Sequence, residues 1–142
     1  MYNVKIVETE KEHADAFAVR KKVFVEEQGV PLHLECDALD ATATHFIMYE
    51  GIEPVGAARL RGIEDHTAKI ERVCILQSQR GKKLGVLIMQ EMEKFAISIQ
   101  QKKLKLHAQS YAVPFYEKLG YTVTSPEFMD AGIPHRAMEK EI

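Results

Sequence analysis

The sequence predicts a mixed α/β domain with a mainly antiparallel sheet and helices covering it. Several short runs alternate apolar and polar residues with period two, and one long segment repeats its apolar residues at three- to four-residue steps. Strands also follow one another instead of alternating strictly with helices, which argues against a parallel, doubly wound sheet. With 142 residues, 46% of them apolar and 28% charged, the chain has the size and composition of a single globular domain spanning 1–142.

The opening Tyr2–Val7 alternates and reads as a half-buried strand. Thr9 and Glu12 have capping-box spacing, so a helix is expected from about Glu10 to Glu27. Ala14, Phe17, Ala18, Lys21 and Phe24 mark its inner face, and Gly29 with Pro31 stops it. Residues 30–43 are polar and irregular. His45–Tyr49 and Val55–Leu60 form a hairpin around Glu50–Pro54, a turn somewhat longer than two residues. A second turn at 62–66 leads into the strand Ala68–Leu76. Leu84, Ile88, Met92, Phe95 and Ile99 then define an amphipathic helix. Leu104, Leu106 and Ala108 alternate as a strand, and a short helix from about Val113 to Leu119 closes on Gly120. Strands near Tyr121–Val123 and Arg136–Met138 end the chain, giving the order β-α-β-β-β-α-β-α-β-β.

Charge and composition exclude several function classes. The net charge is −2, from 19 basic and 21 acidic side chains, so no overall positive field exists to collect a nucleic acid. No apolar run approaches the ~20 residues that cross a bilayer, and Met1–Glu10 lacks the basic start and apolar middle of a signal peptide. A cytoplasmic protein without membrane partners is expected. Cys36 and Cys74 are too few for a disulfide framework or a four-cysteine zinc site. An edge strand near the C-terminus could pair two chains into a homodimer.

The chemistry concentrates in two segments. The stretch from Leu76 to Gly85 joins a strand to the amphipathic helix, and it contains Arg80, Gly81, Lys82, Lys83, Leu84 and Gly85. Glycines at the first helical turn leave backbone amides approachable, the helix dipole adds positive potential there, and three cationic side chains reinforce it; phosphate suits such a corner. An ordinary turn with a solvated basic face is the competing reading. A P-loop is excluded because Gly-x-x-x-x-Gly-Lys-Ser/Thr is absent, and a dinucleotide fold is disfavoured because Gly-x-Gly-x-x-Gly is absent. The second segment runs from Pro114 to Tyr121 and carries Tyr116. Its aromatic pair would serve core packing, yet a phenol with a pKa near 10 also matches the basicity of a departing thiolate.

Together these segments and the order of elements resemble the GNAT N-acetyltransferase superfamily. The resemblance implies the GNAT-like fold and transfer of an acetyl group from acetyl-CoA to a primary amine, without a metal. It implies that Arg80, Gly81, Lys82, Lys83, Leu84 and Gly85 contact the coenzyme A pyrophosphate. It likewise implies that the backbone of Val73, Cys74 and Ile75 pairs with the pantetheine arm, and that Tyr116 protonates the thiolate. Ser78 and Lys83 depart from the family pattern Gln/Arg-x-x-Gly-x-Gly/Ala. Lys83 is accommodated if its backbone keeps ordinary helical dihedrals and its amine swings to solvent or phosphate; a positive φ there would weaken affinity. Val23–Gln28, Asp37, Asp40, His45 and Gly132–Met138 are similar to the ElaA/YjcF-like branch of the superfamily.

For the acceptor, direct attack needs a neutral amine, a base and an oxyanion donor, the last expected from a backbone N–H near Cys74. Glu71 is the candidate base, since it lies two residues before Val73 and so on the same strand face. His45 and His135 are alternatives by pKa, against their reading as hydrogen-bonded strand histidines; His107 is no stronger. Glu27, Asp37 and Asp40, with Gln28, His45 and His135, are expected around the acceptor, small-molecule or protein. The acids would favour a cationic amine, unless they only form a solvated loop. Cys74 is not expected to be a nucleophile, having no neighbour to activate it. His33, Cys36, Asp37, Asp40 and His45 match no closed zinc site. The alternative function is a non-catalytic acyl-CoA-binding or regulatory module of the same fold, with a nucleotide-binding protein third.

Overall fold

The computed structural model describes all 142 residues. Strand β1 (Tyr2–Ile6) leads through the Thr9 cap into helix α1 (Glu10–Arg20), where the Thr9 side chain accepts from Glu12 N and the Glu12 side chain accepts from Thr9 N. The helix then widens into a π-helical stretch over Lys21–Glu27, so the single helix read from the sequence has two windings. Its inner face also differs from the expected one. Ala16, Val19, Arg20 and Val23 are buried, while Ala14, Ala18 and Lys21 are exposed. The reason is Arg20, which reads as a surface residue yet anchors the inner stripe through buried ion pairs with Glu35 and Asp40.

After a short helix α2 (Leu32–Glu35) and a 3-10 turn at 38–41, strands β2 (Thr44–Glu50) and β3 (Glu53–Glu64) form a hairpin. Its loop is only Gly51-Ile52, tighter than expected, because a bulge opposite Met48 and Tyr49 absorbs the extra residue and Pro54 sits beside it. Strand β4 (Thr67–Ile75) and helix α3 (Leu84–Ser98) follow, then β5 (Lys103–Gln109), the short helix α4 (Val113–Lys118), β6 (Thr122–Val123), β7 (Phe128–Asp130) and β8 (Ile133–Glu141). β7 is an additional strand, and β8 runs well beyond the expected Arg136–Met138.

The sheet order is β1-β2-β3-β4-β5-β8-β6, with β7 also on β8. Every pairing is antiparallel except β4 with β5. Helix α3 lays Leu84, Ile88, Met92 and Ala96 on one face against Phe46, Leu60 and Ile70. Each of these side chains larger than alanine contributes roughly 1.5–3 kcal/mol by leaving water. Helix α1 covers the other face over Ile47, Ala57 and Cys74. The C-terminal edge consists of the two-residue β6 and the three-residue β7, a short edge for pairing between chains. No helix is long and apolar enough to cross a membrane.

Candidate active site

The one parallel pairing creates the site. Strands β4 and β5 are joined only over Thr67–Ile70 and Lys103–Leu106. Beyond that rung β4 follows β3 as far as Gly56↔Ile75, while β5 follows β8 as far as Gln109↔His135, so the sheet splits. A cleft of about 640 Å3 runs through the split, lined by Val73, Cys74, Ile75, Arg80, Gly85 and Tyr116 together with Glu71, His107 and His135.

A bulge shapes the β4 side. Ala57 pairs with Cys74 and Arg59 with Glu71, so three steps on β4 match two on β3, and Arg72 takes up the excess at φ +59°. A left-handed conformation costs a non-glycine residue about 1–2 kcal/mol. It is held by the Arg72 side chain: Nε donates to the Glu35 carbonyl at 3.2 Å, and Nη2 donates to the Leu34 carbonyl at 3.1 Å and to Asp37 Oδ2 at 3.3 Å. The bulge also reverses side-chain parity. Glu71 and Cys74 lie on the α1 face, while Val73 and Ile75 pack toward α3, so Glu71 and Val73 do not share a face as simple alternation predicts. Leu76 N donates to the Val55 carbonyl at 2.9 Å, and antiparallel alternation then turns the polar backbone groups of Val73 and Ile75 away from β3, into the split.

The turn into α3 is built on two left-handed residues, Gly81 at φ +83° and Lys83 at φ +61°. Lys83 therefore does not keep the helical dihedrals expected of it; it is the N-cap, and the chain must reverse there before the helix begins. No side chain caps this helix, so the first amides of α3, from Leu84 and Gly85 onward, have no intrahelical partner. Gly85 fits closely under α4, since a Cβ there would lie 3.0 Å from Phe115 Cζ and the ring would have to give way. Arg80 donates from Nε to the Ile75 carbonyl at 3.1 Å and pairs through Nη1 and Nη2 with Glu27 at 2.5 and 2.7 Å. Lys82 donates to Gln79 Oε1 at 3.1 Å.

Across the split, α4 carries Tyr116, edge-to-face with Phe115 at 5.0 Å and Tyr121 at 6.0 Å. Burial pushes its phenol well above the ordinary value, and its hydroxyl has no hydrogen-bond partner in the chain. It is a neutral O–H with its proton to give. Cys74 is buried on the α1 face, where desolvation pushes its thiol up to about 12, so it is inert as a nucleophile at neutral pH.

Of the acids expected around the acceptor, Asp37 lines the cleft with Gln28, but Glu27, Asp37 and Asp40 are each paired with an arginine. Glu27 neutralises Arg80, whose hydrogen bond draws its pKa down. Asp40 accepts from Arg20 and Arg59 at 2.8 Å each, and Asp37 accepts from Arg59 at 2.8 Å. Burial would raise Asp40, yet the two guanidiniums outweigh it and hold the carboxyl at about 2. Glu35 and Arg20, each 1% exposed, meet at 2.6 Å. These loop carboxylates thus neutralise interior arginines instead of presenting an acidic mouth. Glu71 accepts from Arg59 at 3.0 Å and Arg61 at 2.8 Å, with Lys69 at 3.4 Å. Burial alone would raise its pKa, but Arg61, Arg59 and Lys69 bring it below the ordinary carboxylate value. An anion stabilised by three cations is a poor proton acceptor, which corrects the reading of Glu71 as base. His45 donates from Nε2 to the Asp40 carbonyl at 2.8 Å and lines a separate recess with His13, outside the cleft. His135 lines the cleft but commits Nδ1–H to the Ile133 carbonyl at 2.7 Å. Gln28 and Gln109 join side-chain amides across the cleft wall, Gln109 Nε2 donating at 2.8 Å. Sequence reasoning missed the Arg72 bulge and the buried network; a cluster of arginines opposite an acidic loop was the available signal.

The comparisons agree with this architecture. The GNAT acetyltransferase domain family matches residues 8–142. YjcF of Bacillus subtilis, named an uncharacterized N-acetyltransferase, is 46% identical over 137 residues, covering 96% of this chain and 97% of YjcF. The crystal structure of Escherichia coli ElaA superposes with a TM-score of 0.89 at 24% identity, over 99% of this chain and 100% of ElaA. A Bacillus subtilis acetyltransferase solved in complex with CoA shares the fold, with a TM-score of 0.75 at 12% identity over 100% of this chain and 99% of that one. A split sheet of this kind, matched along nearly the whole chain by sequence and by shape, makes the protein a member of the GNAT acetyltransferase family.

Proposed function

We propose that this acetyltransferase moves an acetyl group from acetyl-CoA to a primary amine by direct attack within a ternary complex. The observation that carries the reading is the split between β4 and β5, with uncapped helix amides at one end and an unpartnered phenol at its wall. The free amides from Leu84 and Gly85 onward, with the Gly81–Lys83 turn, suit a diphosphate, and Lys82 and Lys83 add charge beside it. Arg80 acts mainly as a strut, since Glu27 already pairs with it. The backbone of Val73 and the Ile75 N–H, on either side of Cys74, are available to an extended pantetheine arm as to an added strand, while the Ile75 carbonyl already accepts from Arg80. A structural neighbour solved with CoA supports the choice of carrier.

In the reaction the amine lone pair attacks the thioester carbonyl, and a bulge amide near Val73 and Cys74 is the donor for the developing oxyanion. The C–S bond then breaks with its electrons on sulfur, and Tyr116 gives its proton to the thiolate. The burial that raises the phenol also disfavours a thiolate formed beside it and raises its basicity, so the proton transfer stays matched. Calorimetric titration with coenzyme A, followed by thiol release from acetyl-CoA with primary amines, tests the reading. Tyr116→Phe is expected to slow turnover by a factor on the order of 10²–10⁴ with coenzyme A still bound. An unchanged kcat would remove Tyr116 as the acid. Binding without amine-dependent thiol release would instead mark a non-catalytic acyl-CoA-binding module.

A further inference from the structure

The cleft leaves one imidazole uncommitted. His107 lies on β5 one residue past the last β4–β5 rung, Ile70↔Leu106, so it borders the split where it opens. Leu106 and Ala108 point into the α3 core, and His107 therefore faces the opposite side, the face that carries Glu71. Neither ring nitrogen has a hydrogen-bond partner in the chain, whereas His45, His66 and His135 each hold a backbone carbonyl. The ring is kept in place edge-to-face by Phe128 at 5.0 Å, and Phe128 stacks in turn on His135 at 6.0 Å. The charged and titratable groups around it are Lys69 and Glu71 from β4, Asp130 from β7 and His135 from β8. The ring is exposed on its outer side, yet partial desolvation against the sheet, with Lys69 and His135, outweighs Asp130 and Glu71 and lowers its pKa below the ordinary 6.5.

Resting on the amine-acetylation reading above, we propose that His107 is the group that takes the proton from the acceptor amine. Glu71 is already stabilised as an anion, His45 lies outside the cleft, and His135, though its Nε2 is free, stands one strand farther from β4, on β8. His107 alone combines a place on the strand that borders the split with two unbonded ring nitrogens. As the amine nitrogen bonds to the carbonyl carbon it becomes cationic, and its N–H proton passes to a ring nitrogen of His107. The carbonyl reforms as the C–S bond breaks, and Tyr116 protonates sulfur. The products are the amide and the free thiol, with His107 as imidazolium and Tyr116 as phenolate. One proton passing from the first to the second through solvent restores both. This assignment makes the edge of the cleft near Phe128, Asp130 and His135 the approach for the amine.

The test uses the whole chain, acetyl-CoA and a panel of butylamine, putrescine, tyramine and lysine methyl ester, with thiol release followed across about pH 5 to 9. In His107→Gln and His107→Ala, coenzyme A should bind as in the parent, and kcat should fall by a factor on the order of 10² or more. The acidic limb of the parent profile, set by a group titrating below 6.5, should disappear. Added imidazole should restore part of the rate to His107→Ala, which a merely structural role could not produce. Parent-like kcat in His107→Gln overturns the assignment, as does a loss that leaves the acidic limb in place and ignores imidazole. A parent protein that releases no thiol with any amine overturns the acetylation reading itself.

Discussion

Lys83 is the residue whose chemistry and conformation disagree most. A lysine at φ +61° carries a steric cost that glycine would not, and it occupies the N-cap of α3 with no side-chain bond to the helix. Its neighbour Gly81 is left-handed as well, so the turn needs this path whatever side chain stands there. Lys83→Gly should therefore stabilise the fold by about 1 kcal/mol, the relief of strain less the greater freedom of glycine in the unfolded chain. The backbone amides stay where they are, so coenzyme A affinity should fall only by the contribution of one exposed charge, less than about tenfold and shrinking with added salt. Urea denaturation with parallel titration checks both. A loss of stability would mean that the turn is not held in this conformation.

At the scale of elements, what was legible in the sequence was local. Thr9 and Glu12 announce a helix start because the cap is made within four residues, and the apolar steps from Leu84 to Phe95 announce α3 because one face is buried. The turn at 80–85 and Tyr116 were legible because glycines, cations and a phenol stand close together in the chain. The bulge at Arg72 was not, since nothing in Ile70–Val73 marks a left-handed residue; it is imposed by carbonyls of Leu34 and Glu35 far away in sequence. The loop acids were misjudged for the same reason. Their partners, Arg20 and Arg59, come from α1 and β3 and look like surface residues until the elements dock. Glu35→Ala should cost about 3–5 kcal/mol, because it leaves Arg20 in the interior with part of its charge uncompensated. Lys11→Ala, which removes an exposed i,i+4 pair with Asp15, should cost no more than about 0.5 kcal/mol. Equal effects in chemical denaturation would show that the interior network does not bear on stability.

For the whole molecule, the buried charges and imidazoles tie stability to pH in one direction. His45 is buried at 7% exposure, and burial first, then the charge of Arg20, lowers its pKa despite the Asp40 carbonyl. A group with a depressed folded pKa contributes stability above its unfolded value and loses it as pH falls toward the folded one. His45 should begin to erode stability below about pH 6.5. Asp40 obeys the same sign lower down. It ionises at about 2 in the fold against an ordinary 3.8, so its contribution is complete above the ordinary value and fades between the two. Asp37 and Glu71 are lowered as well, by Arg59 and by Arg61 with its neighbours, and add to that second step. Urea midpoints measured from neutral pH downward should fall in two stages, one below about pH 6.5 and a steeper one below about pH 4. Replacing His45 with Asn should shrink the first stage and leave the second. Asp40→Asn should lower stability at neutral pH, because Arg20 and Arg59 lose a shared anion, and should flatten the second stage. A single transition confined to the carboxylate range in the parent protein would mean that His45 is not held neutral by the fold.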